Sequence, residues 1–90
     1  MKKNNQEIAS LSMDLKRVAL GFWGGSNKTA NLFTRQALRR KEVIDYRSVK
    51  VYLMKFLNEL PAILAQKDKK KVAEDALMYS TIFQNYATHN

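Results

Sequence analysis

Apolar residues in this chain recur at steps of three and four, and nowhere do β-branched residues alternate over four or more positions. The pattern therefore proposes helices and no strand. Ile8, Leu11, Leu15, Val18 and Phe22 form one stripe and predict a first helix over about residues 6–23. Gly21, Gly24 and Gly25 mark its end, because glycine is poor in a helix interior and favoured just past a C-terminus. A second helix, about 27–41, opens at Ser26 or Asn27, either of which can cap free N–H groups, and turns Ala30, Phe33 and Ala37 inward. It is the least apolar of the four. Asp45 opens a third helix, about 45–66, with the stripe Val49, Leu53, Phe56, Leu60 and Ile63 or Leu64. Pro61 predicts a kink or a fresh start there, since it removes a backbone donor and crowds the preceding turn. Asp68 then caps a fourth helix, about 68–87, carrying Val72, Ala76, Tyr79, Phe83 and Tyr86 on one face.

One or two residues separate the third and fourth helices, a connection short enough to predict an antiparallel αα-hairpin closed by Gln66 to Asp68. Ninety residues is the size of one domain, so the fold expected is a single all-α unit over 1–90, a compact four-helix bundle. With 46% of the chain apolar there is enough to form a core, which argues against disorder. The absence of cysteine removes disulfides, thiolate metal sites and cysteine nucleophiles together. A chain this short buries only roughly 60–65% of its unfolded surface, so a homodimer is a reasonable further source of stability. The longest stretch without a polar side chain, Val18 to Gly25, has eight residues, against the roughly twenty of a membrane span. Charges run through the first nineteen residues, so no targeting segment is expected and the cytoplasm is the default location.

Charge sharpens the picture through its distribution. The chain has 16 Lys and Arg against 8 Asp and Glu, a formal +8. Residues 1–41 hold nine of the cations against only Glu7 and Asp14, and no acid lies between Asp14 and Glu42. A surface built for solubility alone would mix the signs, so the segregation points to a polyanionic or acidic partner.

On the second helix Lys28, Arg35 and Arg39 share one side, with Asn31 adjoining and Arg40 and Lys41 extending the patch; Lys16 and Arg17 add to it from the first helix. Arginine suits planar contact with phosphate or carboxylate. Taken singly, each of these cations is well explained as a solvated residue or a helix-dipole partner, and only the acid-free set argues for a site. The turn Gly24 to Thr29 could cradle an anion with the backbone donors of Ser26 and Asn27 beside Lys28. It is not a nucleotide-binding P-loop, since Asn27 stands where that motif requires glycine and a helix precedes it. Lys67, Lys69, Lys70 and Lys71 form a second basic cluster at the hairpin tip, where a solvated turn is the plain explanation. Met13 and Leu20 on the first helix, and Val51 and Met54 on the third, lie opposite the core stripes and are interface candidates. Trp23 either fills the end of the bundle, the favoured role, or stacks a base.

Catalysis has little support. The one histidine, His89, stands beside the last residue, and the adjacent Glu74 and Asp75 diverge around a helix. No enzyme activity, metal, cofactor or small-molecule substrate is expected, short of a composite site in an oligomer. The reading is a non-catalytic helical module that binds nucleic acid, RNA or DNA, through its phosphates, without a base-reading motif. The alternative is a protein-interaction module whose basic face meets an acidic protein. Peripheral membrane attachment is a third and weaker option, because the most basic helix has a narrow apolar face.

Overall fold

The computed structural model describes residues 3–89, and among them every regular element is helical. Helix α1 runs Lys3–Trp23, α2 Asn27–Glu42, α3 Val51–Leu64 and α4 Lys69–His89, with a 3₁₀ turn at Tyr46–Ser48 between α2 and α3. At 1.5 Å per residue the 21-residue helices α1 and α4 are each about 31 Å long. The molecule's greatest extent is 36 Å, so both helices run most of its length.

Contacts along each pair give the directions. Gly21 meets Ala30, Arg17 lies over Phe33, and Asp14 binds Arg40, so α2 returns along α1. Phe22 lies under Lys69 while Ser12 accepts from Ser80, so α4 is also antiparallel to α1. From Gln66 with Asp75, through Glu59 with Tyr79, to Lys50 with Tyr86, α4 descends along α3 as the expected hairpin. The result is an up-down-up-down four-helix bundle with α1 between α2 and α4.

Side-chain size sets the spacing. Where α1 approaches its neighbours most closely, the seams are made of Ser12 and Ala19 with Ala73, Ala76 and Ser80 on one side, and Gly21 with Ala30 on the other. Helix α3 stands farther off, propped on α4 by aromatic edges: Phe56 meets Tyr79 at 5.4 Å and Tyr52 meets Tyr86 at 5.9 Å between ring centres. The buried serine hydroxyls are satisfied, Ser80 donating to the Ser12 carbonyl at 2.8 Å and Ser12 to that of Ala9 at 2.6 Å, whereas the buried Tyr46 hydroxyl has no partner among the described residues. Ile8, Leu11, Leu15 and Val18 are fully buried, as are Val72, Ala76 and Phe83, with Tyr79 and Tyr86 nearly so. Among the described residues no helix is long and apolar enough to cross a membrane.

Several boundaries differ from those expected from the sequence. Helix α1 begins at Lys3, α2 ends at Glu42 and α4 continues to His89, so His89 lies within a helix. Asp45 caps the 3₁₀ turn, its carboxylate accepting from the Arg47 N–H, and Val49 and Lys50 are extended before α3 starts. The extended pair is held because the Lys50 N–H donates to the Tyr86 hydroxyl at 3.0 Å. Helix α3 carries through Pro61 with no fresh start and ends at Leu64. Its deepest stripe is Leu53, Leu57, Leu60 and Leu64, with Phe56 and Ile63 only partly buried, because the helix turns its leucines to the core and its aromatic toward α4.

Gly21 is the most informative departure. It lies inside α1, and a Cβ there would stand 2.9 Å from the Ala30 nitrogen and 3.0 Å from its Cα. The residue is small because two helix backbones meet, not because the helix ends. Termination belongs to Gly25, at φ +80, where Ser26 N–H bonds the Gly21 carbonyl at 2.8 Å and Gly25 N–H that of Phe22 at 3.2 Å.

Two outcomes follow. Gly21→Ala should cost about 1–3 kcal/mol in urea unfolding, as overpacking does. A residue that merely ended the helix would instead tolerate or profit from alanine. Tyr79 supplies the second. Its burial, with the hydrogen bond it donates to Glu59 at 2.9 Å, pushes the phenol up to about 12. Since the neutral form is favoured in the folded chain, this stability is present below the ordinary tyrosine value of about 10 and is lost as the pH rises toward 12. Ultraviolet titration of phenolate should lose its latest step in Tyr79→Phe.

Candidate nucleic-acid interface

The first 41 residues contain two acids, and both turn to one cation. Arg40 Nε lies 2.8 Å from Asp14 Oδ2, and its terminal nitrogen lies 3.5 Å from Glu7 Oε2. The Asp14 side chain is only 4% exposed, so without Arg40 it would be a buried, unpaired charge. The hydrogen bond to Asp14 raises the guanidinium's pKa above its ordinary value; partial burial opposes this, and the charges of Asp14 and Glu7 reinforce it. Arg40 therefore faces α1 and serves the fold, which removes it from the outward patch expected from the sequence. Lys41 also turns inward, its ammonium 5.5 Å from the centre of the Tyr46 ring.

What remains outward on α2 is Lys28, Arg35 and Arg39, all exposed, with Asn31 beside them. Among the described residues none of these three cations has an acidic partner within 4 Å. Arg35 and Arg39 line one shallow depression of about 260 Å³ with Leu32 and Gln36. Arg17, also exposed, reaches α2 from α1, its guanidinium 5.4 Å above the ring of Phe33, which lies on a different side of α2 from Arg35 and Arg39. Lys16 does not: it faces the groove between α1 and α4, with Met13, Leu77, Thr81 and Gln84. Adjacent in sequence, the two diverge by the helical 100° per residue.

The glycine turn is less open than its composition suggests. The Gly24, Gly25 and Ser26 N–H groups all bond carbonyls of α1. The Ser26 hydroxyl accepts from Thr29 N–H at 3.3 Å as the α2 cap and donates to the Thr29 hydroxyl at 2.8 Å. The expected cradle is thus largely filled by the chain itself.

At the hairpin tip the Asp68 carboxylate accepts from the N–H groups of Lys70 and Lys71 and caps α4. Lys71 is tied to Asp75 at 2.8 Å; that hydrogen bond holds the carboxyl below its usual range against the opposing effect of burial. Lys69 reaches over Phe22 at 5.7 Å, which brings the tip, with exposed Lys67 and Lys70, to the same end of the bundle as the α1–α2 turn. Lys28 opens α2 at this end, whereas Arg39, Arg40 and Lys41 close it at the other. The two basic clusters meet only through Lys28.

The interface candidates also separate. Met13, Leu20 and Val51 are 44%, 55% and 81% exposed, but Met54 packs partly against the core. Val51 is on α3, across the bundle from the α1 pair. Trp23 is 51% exposed and so does not fill the bundle end as favoured from the sequence. Unforeseen was the exposure of Leu32, which lies beside Arg35 and Arg39, and of Val43, which follows the end of α2 next to Arg39 and Arg40. Their spacing from Arg35 and Arg39 was visible in the sequence as a helical signal. No group of three or more metal-ligating side chains is assembled among the described residues. Compared with protein-family models, curated proteins and solved structures, the chain matches none of them.

Arg40→Met should lower stability by about 2–3 kcal/mol, because it strands a buried carboxylate. The double variant Asp14→Asn, Arg40→Met should recover a good part of that loss in chemical denaturation. Equal losses in the single and the double variant would mean that the pair is not what matters.

Proposed function

We propose that the chain is a non-catalytic nucleic-acid-binding module that contacts phosphates through Lys28, Arg35, Arg39 and Arg17. The observation that carries this is that Lys28, Arg35 and Arg39 are exposed on one side of α2 with no acidic partner within 4 Å among the described residues, in a stretch whose two acids before Glu42 are both engaged by Arg40. Cations paired at contact distance have their field cancelled at short range; these are not paired, and their potential extends toward a partner. The shallow depression between Arg35 and Arg39 suits a backbone phosphate resting on two guanidinium groups. No element reads bases in a defined register, which favours binding with little sequence preference. A cytoplasmic location belongs to the same proposal.

One observation supports a second reading. Leu32, 51% exposed, lies beside Arg35 and Arg39, and Val43, 63% exposed, follows the end of α2 next to Arg39 and Arg40, a mixture suited to an acidic amphipathic segment of a protein. In that reading Met13, Leu20 and Val51 serve further contacts, including those of a homodimer. The absorbance ratio at 260 and 280 nm of protein purified at low salt separates the two: nucleic acid co-purifies in one case, a discrete polypeptide in the other.

The proposal predicts binding of a labelled RNA or DNA at about 50 mM salt, weakening with a log–log salt slope of about −3 to −4 as four phosphates are released. Arg35→Glu with Arg39→Glu should cost at least about ten-fold and flatten that slope by about two. Absence of binding at low salt, or a slope unchanged by the double charge reversal, rejects it.

A further inference from the structure

The end of the bundle that carries the α1–α2 and α3–α4 turns also carries the chain's one tryptophan. Trp23 is the last residue of α1 and remains 51% exposed, although it has the largest apolar surface of any side chain type. Its neighbour Phe22 turns into the bundle beneath the Lys69 ammonium, and Trp23, one helical step on, turns out. Lys28, Lys67 and Lys70 are exposed at this same end, and none has an acid within 4 Å among the described residues. Two of the acids nearby are engaged within the chain, Asp68 accepting the Lys70 and Lys71 N–H groups and Asp75 accepting from Lys71 and Gln66, and Glu74, one turn beyond Lys70, is exposed with no salt bridge among the described residues. An indole is thus left half in water at an end that also carries three exposed lysines without a salt bridge among the described residues.

We infer that Trp23 is a stacking platform for an unpaired base, with Lys28, Lys67 and Lys70 holding the flanking phosphates, so that the chain prefers single-stranded to duplex nucleic acid. This rests on the phosphate-binding reading above and names its substrate class. Base faces are accessible in a single strand and hidden in a duplex, and stacking on an aromatic ring is indifferent to base identity. That agrees with the lack of a base-reading element. A lipid surface is less well served, because among the described residues Leu20 is the only other large apolar side chain exposed at this end and the turn that follows is Gly24, Gly25, Ser26 and Asn27.

The sole tryptophan makes the test direct, since all indole fluorescence comes from Trp23. The full chain is titrated at about 50 mM salt with oligo-dT of roughly 12 nucleotides and with a duplex of equal length, following both indole emission and the anisotropy of labelled nucleic acid. Oligo-dT should quench the emission, and added salt should restore it. Trp23→Ala should weaken single-strand binding about ten-fold and leave duplex affinity within about two-fold, while Trp23→Phe keeps most of the single-strand affinity. Thermal melting checks that the alanine variant folds. If it does not, Lys67→Glu with Lys70→Glu replaces it, with at least a five-fold loss on oligo-dT expected. Oligo-dT bound with unchanged emission, or equally well by Trp23→Ala, overturns the platform and leaves the phosphate-binding reading standing. Binding of neither nucleic acid overturns both. Emission that shifts to the blue only on phosphatidylserine vesicles, without oligo-dT binding, also overturns the inference and assigns the end to a lipid surface.

Discussion

Asp14 brings a negative charge into the seam between α1 and α2, and Arg40 is what makes that position tenable. A carboxylate so enclosed is costly unless a cation meets it in good geometry, and the 2.8 Å contact meets that need. Glu7, two turns away on the same side of α1, completes the cluster. The consequence reaches beyond stability. By gathering both acids of the first half onto one guanidinium, the fold leaves the outward cations of α2 and Arg17 without internal partners. The electrostatics of the core and the excess charge of the surface are therefore two views of one arrangement.

That arrangement depends in turn on how close the helices come. Gly21 and Ala30 let the backbones of α1 and α2 nearly touch near the glycine turn, while the ion cluster joins them toward the other end. On its opposite flank α1 meets α4 through serine and alanine. A helix held by small residues on both flanks has little freedom to rotate, which fixes the direction in which Arg17, Leu20 and Trp23 emerge. Helix α3 is bound differently, through aromatic edges and the hydrogen bond from the Lys50 N–H to the Tyr86 hydroxyl.

Periodicity alone was enough to read the four helices, their antiparallel hairpin and most of the core, since a 3.6-residue repeat needs only local information. Its failures are those of non-local causes. Gly21 looks like a terminator until the approach of Ala30 is known. Asp45 looks like the cap of a long helix until Tyr86, 41 residues away in sequence, is seen to hold the extended stretch before α3. Of the basic patch, the side of α2 bearing Lys28, Arg35 and Arg39 was legible from spacing. The removal of Arg40 and Lys41 from it was not, because their partners Asp14 and Tyr46 are brought there by packing. The exposure of Trp23 was misjudged for the same reason: adjacency to a turn says nothing about what covers a side chain.

The alternating directions of the helices have one more effect. At the end that holds Trp23, the N-termini of α2 and α4 stand beside the C-termini of α1 and α3, so their opposed partial charges, about half a unit each, largely cancel. The backbone then contributes almost no net field there, and the sign of the potential is decided by side chains in the turns. Such a surface can gain or lose charge over generations, lysine by lysine, with the bundle beneath it unaltered.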